Sequence, residues 1–199
     1  MRRFDRTLSI SAVTISLACV AVAVLACAKP EGETPKQKRS SIQNANRSIL
    51  DDVYSKQPEA RRLVGNSYGY ATFTNIETKL GLFGSGNGYG LATHRGSGKQ
   101  TYMKMRKVHV GFGGGVQEFD LLMIFKSKAN FDQFLESGWQ FGAGADAAAK
   151  TRQEGGVETG VQAAIDENLD PIVFQVTQAG VSVGATAEGF KFSVDDELN

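Results

Sequence analysis

The residues able to do chemistry in this chain are few and widely spaced. His94 and His109 lie on separate strand-like stretches, with no HxxxH pair and no cysteine beside them. Zinc ligands recur at short fixed offsets, so this spacing makes no metal site by itself, and no metal is expected. The run Gly96-Ser97-Gly98-Lys99-Gln100 superficially resembles a phosphate loop. Thr93 stands where the leading glycine belongs, and Gln100 where a hydroxyl must touch magnesium, so the run reads as a hairpin tip. No GxSxG elbow offers a nucleophile. Asp146, in GADAAAKT, has no second carboxylate near it in sequence. It reads as a structural carboxylate that ties down a turn or bare amides, rather than as half of an acid–base pair. No cofactor and no enzymatic activity are expected.

One covalent site does stand out. Arg2, Arg3 and Arg6 precede an apolar run from Leu8 to Ala26, which closes on Val24-Leu25-Ala26-Cys27. A basic head, an apolar middle and small residues before a cut describe a bacterial secretory signal over residues 1–26. A cysteine straight after the cut resembles a lipoprotein box, in which the Cys27 thiol is diacylated and becomes the new N-terminus. The alternative is an uncleaved transmembrane anchor, since about 20 apolar residues can span a bilayer. Ala28 stands where an aspartate would resemble an inner-membrane retention signal. The expected address is therefore the bacterial cell envelope, lipid-anchored in the outer membrane and facing the periplasm. Beyond Cys27 the chain has no cysteine, so the mature domain can form no disulfide framework.

Charge narrows the partners. The 199 residues carry a formal net charge of +1, and the first six contribute +2 of it, which leaves the remainder near −1. A nucleic-acid binder would show a strong basic excess, and none is present. The local exception is Lys104, Arg106 and Lys107. By strand alternation Lys104 and Arg106 share a face and Lys107 points the other way. These three, with Arg61 and Arg62, are the candidate contacts to anionic lipid headgroups, each basic residue near a charged surface contributing about 1 kcal/mol. The competing reading is an exposed edge strand guarded against aggregation by its lysines.

The elements that position these residues are mostly strands. Residues 27–41 are polar, with two prolines, and read as a tether after the acylated cysteine. The domain, 42–199, opens with a helix carrying Ile42, Ala45, Ile49, Leu50 and Val53 at helical spacing, Ser40 or Ser41 serving as N-cap. A second helix starts at Pro58 and closes at Gly65, with Arg61 and Arg62 outward. Strand-like runs follow at 67–76, 80–94 and 100–112, separated by turn-like Glu77-Thr78-Lys79 and by Arg95–Lys99. Phe119–Phe125 is a continuous apolar run of the kind a central strand makes. Ser127 caps a mid-domain helix with Phe131, Phe134 and Leu135 on one face. Short turn-bounded strands complete the chain, including PIVFQVTQ, GVSVGATA and GFKFSV.

The most unusual stretch is Leu80–Ala92, where Gly84, Gly86, Gly88 and Gly90 fall on one face of a strand. Glycine weakens a strand, so a repeated bare face predicts that something lies very close to that backbone: another sheet, a helix or an acyl chain. The expected fold is α+β, mainly antiparallel β. It is a curved sheet, or a partly closed barrel or sandwich, with N-terminal helices and one helix mid-domain.

Several of these blocks occur in a known order. YATFTNIETKLGLFGSGNGYG, GGGVQEFDLLMIF, a helix, FGAGADAAA and a closing AGVSVGATAEGFKF together resemble the SYLF domain, also called the Ysc84-type lipid-binding domain, over Ile42–Asn199. The resemblance implies lipid or membrane binding without catalysis, with membrane lipids as partners through headgroups or acyl chains. Phosphoinositide and actin binding, known among eukaryotic relatives, are not implied for a bacterial envelope. A structural or protein-interaction component of the envelope, with no lipid ligand, is the alternative.

Overall fold

The computed structural model describes residues 29–137, 140–141, 165, 167–177, 180–183 and 190–199. Its elements in chain order are α1 (Pro35–Lys56), α2 (Glu59–Gly65), β1 (Gly69–His94), β2 (Gln100–Phe125), α3 (Lys128–Ser137), β3 (Gln140–Phe141), β4 (Ile172–Thr177), β5 (Gly180–Val183) and β6 (Phe190–Val194). Among the described residues the six strands form one sheet, antiparallel at every pairing and not closed into a barrel. The α+β expectation, mainly antiparallel with a curved sheet, is borne out. No helix among the described residues is long and apolar enough to cross a membrane.

The sheet is organised by a ribbon of two 26-residue strands, β1 and β2, paired along almost their whole length. Here the sequence reading needs correction. Glu77, Thr78 and Lys79 are not a turn; they pair with Gln117, Val116 and Gly115 in the unbroken ladder. The GFGGG run, Gly111–Gly115, lies within β2 as strand. The register slips once, between Gly81 and Phe83, where β1 advances from Gly113 to Val110 on its partner, leaving one extra residue on β2. Such a bulge bends a ribbon and raises its local twist.

The ribbon folds over at that point. A β-carbon on Gly86 would meet the Ile76 carbonyl, one on Gly88 the Thr74 carbonyl, and one on Gly90 the Thr72 carbonyl. Each step of two along one half of β1 is matched by a step of two back along the other, and all three pairs centre on Gly81. The neighbour anticipated for the glycine face is therefore β1's own first half. Gly84 takes its place in the ladder opposite His109, and its surroundings lie outside the described residues.

Folding the ribbon creates an inside and an outside. Inward lie Ala71 and Phe73 from the first half of β1, Ala92 from the second, Met103, Met105, Phe119, Leu121, Met123 and Phe125 from β2, Val173, Phe190 and Phe192. α3 closes this core with Phe131 and Phe134, and Ser127 caps it through a bond from the Asn130 amide at 3.2 Å. Phe134 lies 4.9 Å from Phe125 and 5.4 Å from Phe192, ring to ring. Each such wholly buried ring contributes roughly 1.5–3 kcal/mol of transfer free energy.

Outside, α1 lies across both halves. Ile42 packs with Leu91, Tyr102 and Leu198 on one half. Ile49 and Val53 pack with Leu122, Ile124, Ile172 and Phe174 on the other, beside Ala60, Leu63 and Val64 of α2. Between them Asn46 accepts a 2.8 Å hydrogen bond from the Thr72 hydroxyl. The helix starts earlier than expected. Thr34 is the N-cap, with Pro35 in the first turn and Gln37 completing a capping box, so neither Ser40 nor Ser41 caps it.

Candidate functional site

The structure disperses most residues that could do chemistry. His94 sits at the hairpin tip, where its Nδ1 accepts from the Ser97 amide at 2.9 Å. Its ring meets Tyr68 edge-on at 4.6 Å. Gly98 adopts φ +68 in that tip, and the Ser97 hydroxyl accepts from the Lys99 amide at 3.3 Å. The GSGK run is a turn locked by its own groups, as its sequence implied. His109 pairs with Gly84 in the ladder, and its side chain is outside the described residues. Asp146 and Cys27 also lie outside them. Among the described residues no group of three His, Cys, Asp or Glu side chains could hold a metal ion.

Arg61 and Arg62 are exposed on α2, whose other face is core. Both are engaged. The Arg61 guanidinium lies 4.7 Å from the centre of the Tyr54 ring, and Arg62 pairs with Glu59 at 2.5 Å and Glu167 at 2.6 Å. The Glu59 hydrogen bond leads the effects that raise the Arg62 pKa.

The basic strand is resolved residue by residue. β2 is no edge strand here. Over Met103–Lys107 it is paired with β1 on one side and β6 on the other, so the aggregation-guard reading does not apply. Lys107 turns inward, its ammonium 4.9 Å from the Phe119 ring centre and 5.0 Å from that of Phe190. Cations over aromatic faces are held electrostatically by the ring quadrupole. Lys104 faces out but is bound to Asp195 at 2.9 Å, a carboxylate that is only 9% exposed. That hydrogen bond is the main cause of the raised Lys104 pKa.

Arg106 faces out, and its ladder partner on β6 is Lys191. Both are exposed, and among the described residues neither makes an ion pair. Lys191 was not singled out in the sequence, where it is one lysine between two phenylalanines. Only the register with β2 places it beside Arg106.

Tyr102, on the same face of β2 as Arg106, is core. It is 8% exposed and its hydroxyl accepts from Gln43 at 2.9 Å. A groove of about 250 Å³ opens between α1 and the sheet, lined by Asp52, Lys56, Thr74, Glu118, Asp120 and Thr177 among others. Burial is the main cause of a raised Asp120 pKa, with Asp52 and Glu118 adding to it and the Thr74 hydrogen bond and Lys56 opposing. Asn75 is wholly buried, and its amide has no hydrogen-bond partner among the described residues.

Part of this chain is similar in sequence to known proteins. Residues 106–199 match the family model described as "Ysc84: Las17-binding protein actin regulator". The chain is also 30% identical over 169 residues to Beta cell expansion factor A of Aeromonas veronii, covering 83% of this chain and 60% of that relative. It thus spans about three fifths of the length of the curated relative it matches. The matched region runs from the exposed Arg106 through the rest of β2, α3 and the closing strands. By these matches residues 106–199 carry the Ysc84-type, or SYLF, domain.

Proposed function

We propose that this protein is a lipid-anchored component of the bacterial cell envelope whose SYLF-type domain binds lipid or a membrane surface without catalysis. Cys27 is the acylated residue, and the outer membrane, on its periplasmic side, is the site of attachment. Two acyl chains make such attachment firm where one is marginal. The observation that carries the membrane-binding reading is the exposed part of the outer face on the sheet's second half. α1 covers that face at Leu91 and Tyr102, leaving Ser85, Asn87, Arg106, Lys191 and Ser193 exposed as polar, basic sheet surface. The described glycine face, by contrast, is filled by the chain's own carbonyls and offers no room for an acyl chain at Gly88 or Gly90.

The body from Lys29 onward contains every described element, so it tests the domain apart from its anchor. Co-sedimentation with vesicles of phosphatidylcholine, with and without phosphatidylglycerol, is expected to show binding to the anionic vesicles. Failure to sediment with either would leave the protein-interaction reading in its place.

A further inference from the structure

We infer that Arg106 and Lys191 together form the seat for a phosphate-bearing headgroup of an anionic bilayer, an inference that rests on the membrane-binding reading and names its contact. The two residues face each other directly across the β2–β6 ladder. Directly opposed side chains in an antiparallel pair stand with β-carbons about 4.5–5.5 Å apart, and like charges so placed destabilise a sheet. Both side chains are exposed, and no described carboxylate pairs with either. Asp195, the described acid just past β6, is bound to Lys104 instead. An arrangement that costs stability in the free protein and is relieved by an oxyanion is what a headgroup contact requires.

The chemistry fits phosphate. Guanidinium offers a planar fork of donors that matches phosphate oxygens two at a time, and an ammonium beside it adds a compact charge. The ladder partners on either side of the pair are neutral: Asn87 is that of Arg106 on β1, and Gln140 that of Lys191 on β3. The row Asn87–Arg106–Lys191–Gln140 therefore runs across four strands with two cations at its centre.

A bilayer suits this seat better than a soluble phosphate does. The pair lies on an exposed sheet face, where a broad surface can reach both side chains at once. It also lies on the same face of the same half of the sheet as the start of α1, since Tyr102 and Arg106 share a side of β2 and Ile42 packs on Tyr102. From Cys27 to Pro35 the chain can reach at most about 28 Å. An anchor at Cys27 holds this face near the membrane and raises the effective concentration of headgroups around it.

The test uses the body from Lys29 with Arg106→Gln, Lys191→Gln and the double variant, and Lys56→Gln as a control with the same charge change. Binding to phosphatidylglycerol vesicles is expected to weaken about five-fold for each single variant and about 30-fold for the double. Lys56→Gln binds as the parent does. Melting temperatures of the single variants stay level or rise, because a like-charge contact is removed. Parent binding with no loss in the double variant overturns the assignment while leaving the membrane-binding reading standing. No parent binding to any vesicle removes both. Inorganic phosphate that raises the parent's melting temperature and displaces it from vesicles at low concentration would also overturn the bilayer as occupant, and mark a soluble oxyanion site.

Discussion

A β-carbon built on Gly90 would stand 2.1 Å from the carbonyl oxygen of Thr72, eighteen residues earlier on the same strand. That approach is what lets one long ribbon fold into two facing layers. It sets the shape of the core, the seam under α1 and the outward face that carries Arg106.

Alanine at the three described glycines is expected to rank by what each methyl meets. Gly90→Ala meets backbone and the Phe73 ring, at 2.1 and 2.3 Å, and Gly88→Ala meets backbone at 2.4 Å. Each costs about 3 kcal/mol or more, since a carbonyl in a ladder cannot move aside. Gly86→Ala meets the buried Asn75 side chain at 2.9 Å and the Ile76 carbonyl only at 3.2 Å, and costs less, about 1–2 kcal/mol. Gly65→Ala meets nothing within 4 Å in a helix and stays within about 0.5 kcal/mol of the parent or gains. Urea unfolding of the four variants gives the ranking.

Much of this was legible in the sequence, for local reasons. The alternation of Gly84 to Gly90 pointed to a close neighbour, Ser127 to a cap, and Gly96–Gly98 to a hairpin tip. The failures have physical causes too. Glu77, Thr78 and Lys79 have turn-like side chains, yet a ribbon that bends at a bulge keeps its ladder through them. Thr34 and Gln37 spell a capping box around Pro35, a signal present in the sequence but hidden inside a stretch that looked like tether. Lys191 carried no local signal at all. Its meaning arises only from a pairing between residues 85 positions apart.

The Asn46–Thr72 hydrogen bond joins α1 to the seam where β1 meets itself, with Asn46 7% and Thr72 1% exposed. Thr72→Val leaves the Asn46 carbonyl without its donor and is expected to cost about 1–3 kcal/mol. A double-mutant cycle with Asn46→Leu should return a coupling on the order of 1 kcal/mol between them. Additive losses would show that the bond contributes nothing of its own.

Stability should also depend on Asp120. Its folded-state pKa is raised, chiefly by burial, so the folded protein holds that proton more tightly than the unfolded chain. The carboxylate is therefore a cost above the folded value, and the cost is relieved as pH falls through it. Asp120→Asn is expected to raise the melting temperature at pH 7 and to leave it little changed near pH 4. A lower melting temperature at pH 7 would show that the ionised form is stabilised instead.

Salt dependence tests the central claim most directly. Partition of the body from Lys29 onto phosphatidylglycerol-containing vesicles is followed from about 0.1 M to about 1 M salt, over which the Debye length falls from roughly 10 Å to 3 Å. The account predicts binding at the low end that is lost by the high end, with phosphatidylcholine vesicles left unbound throughout. Equal partition onto both kinds of vesicle, unmoved by salt, would contradict it.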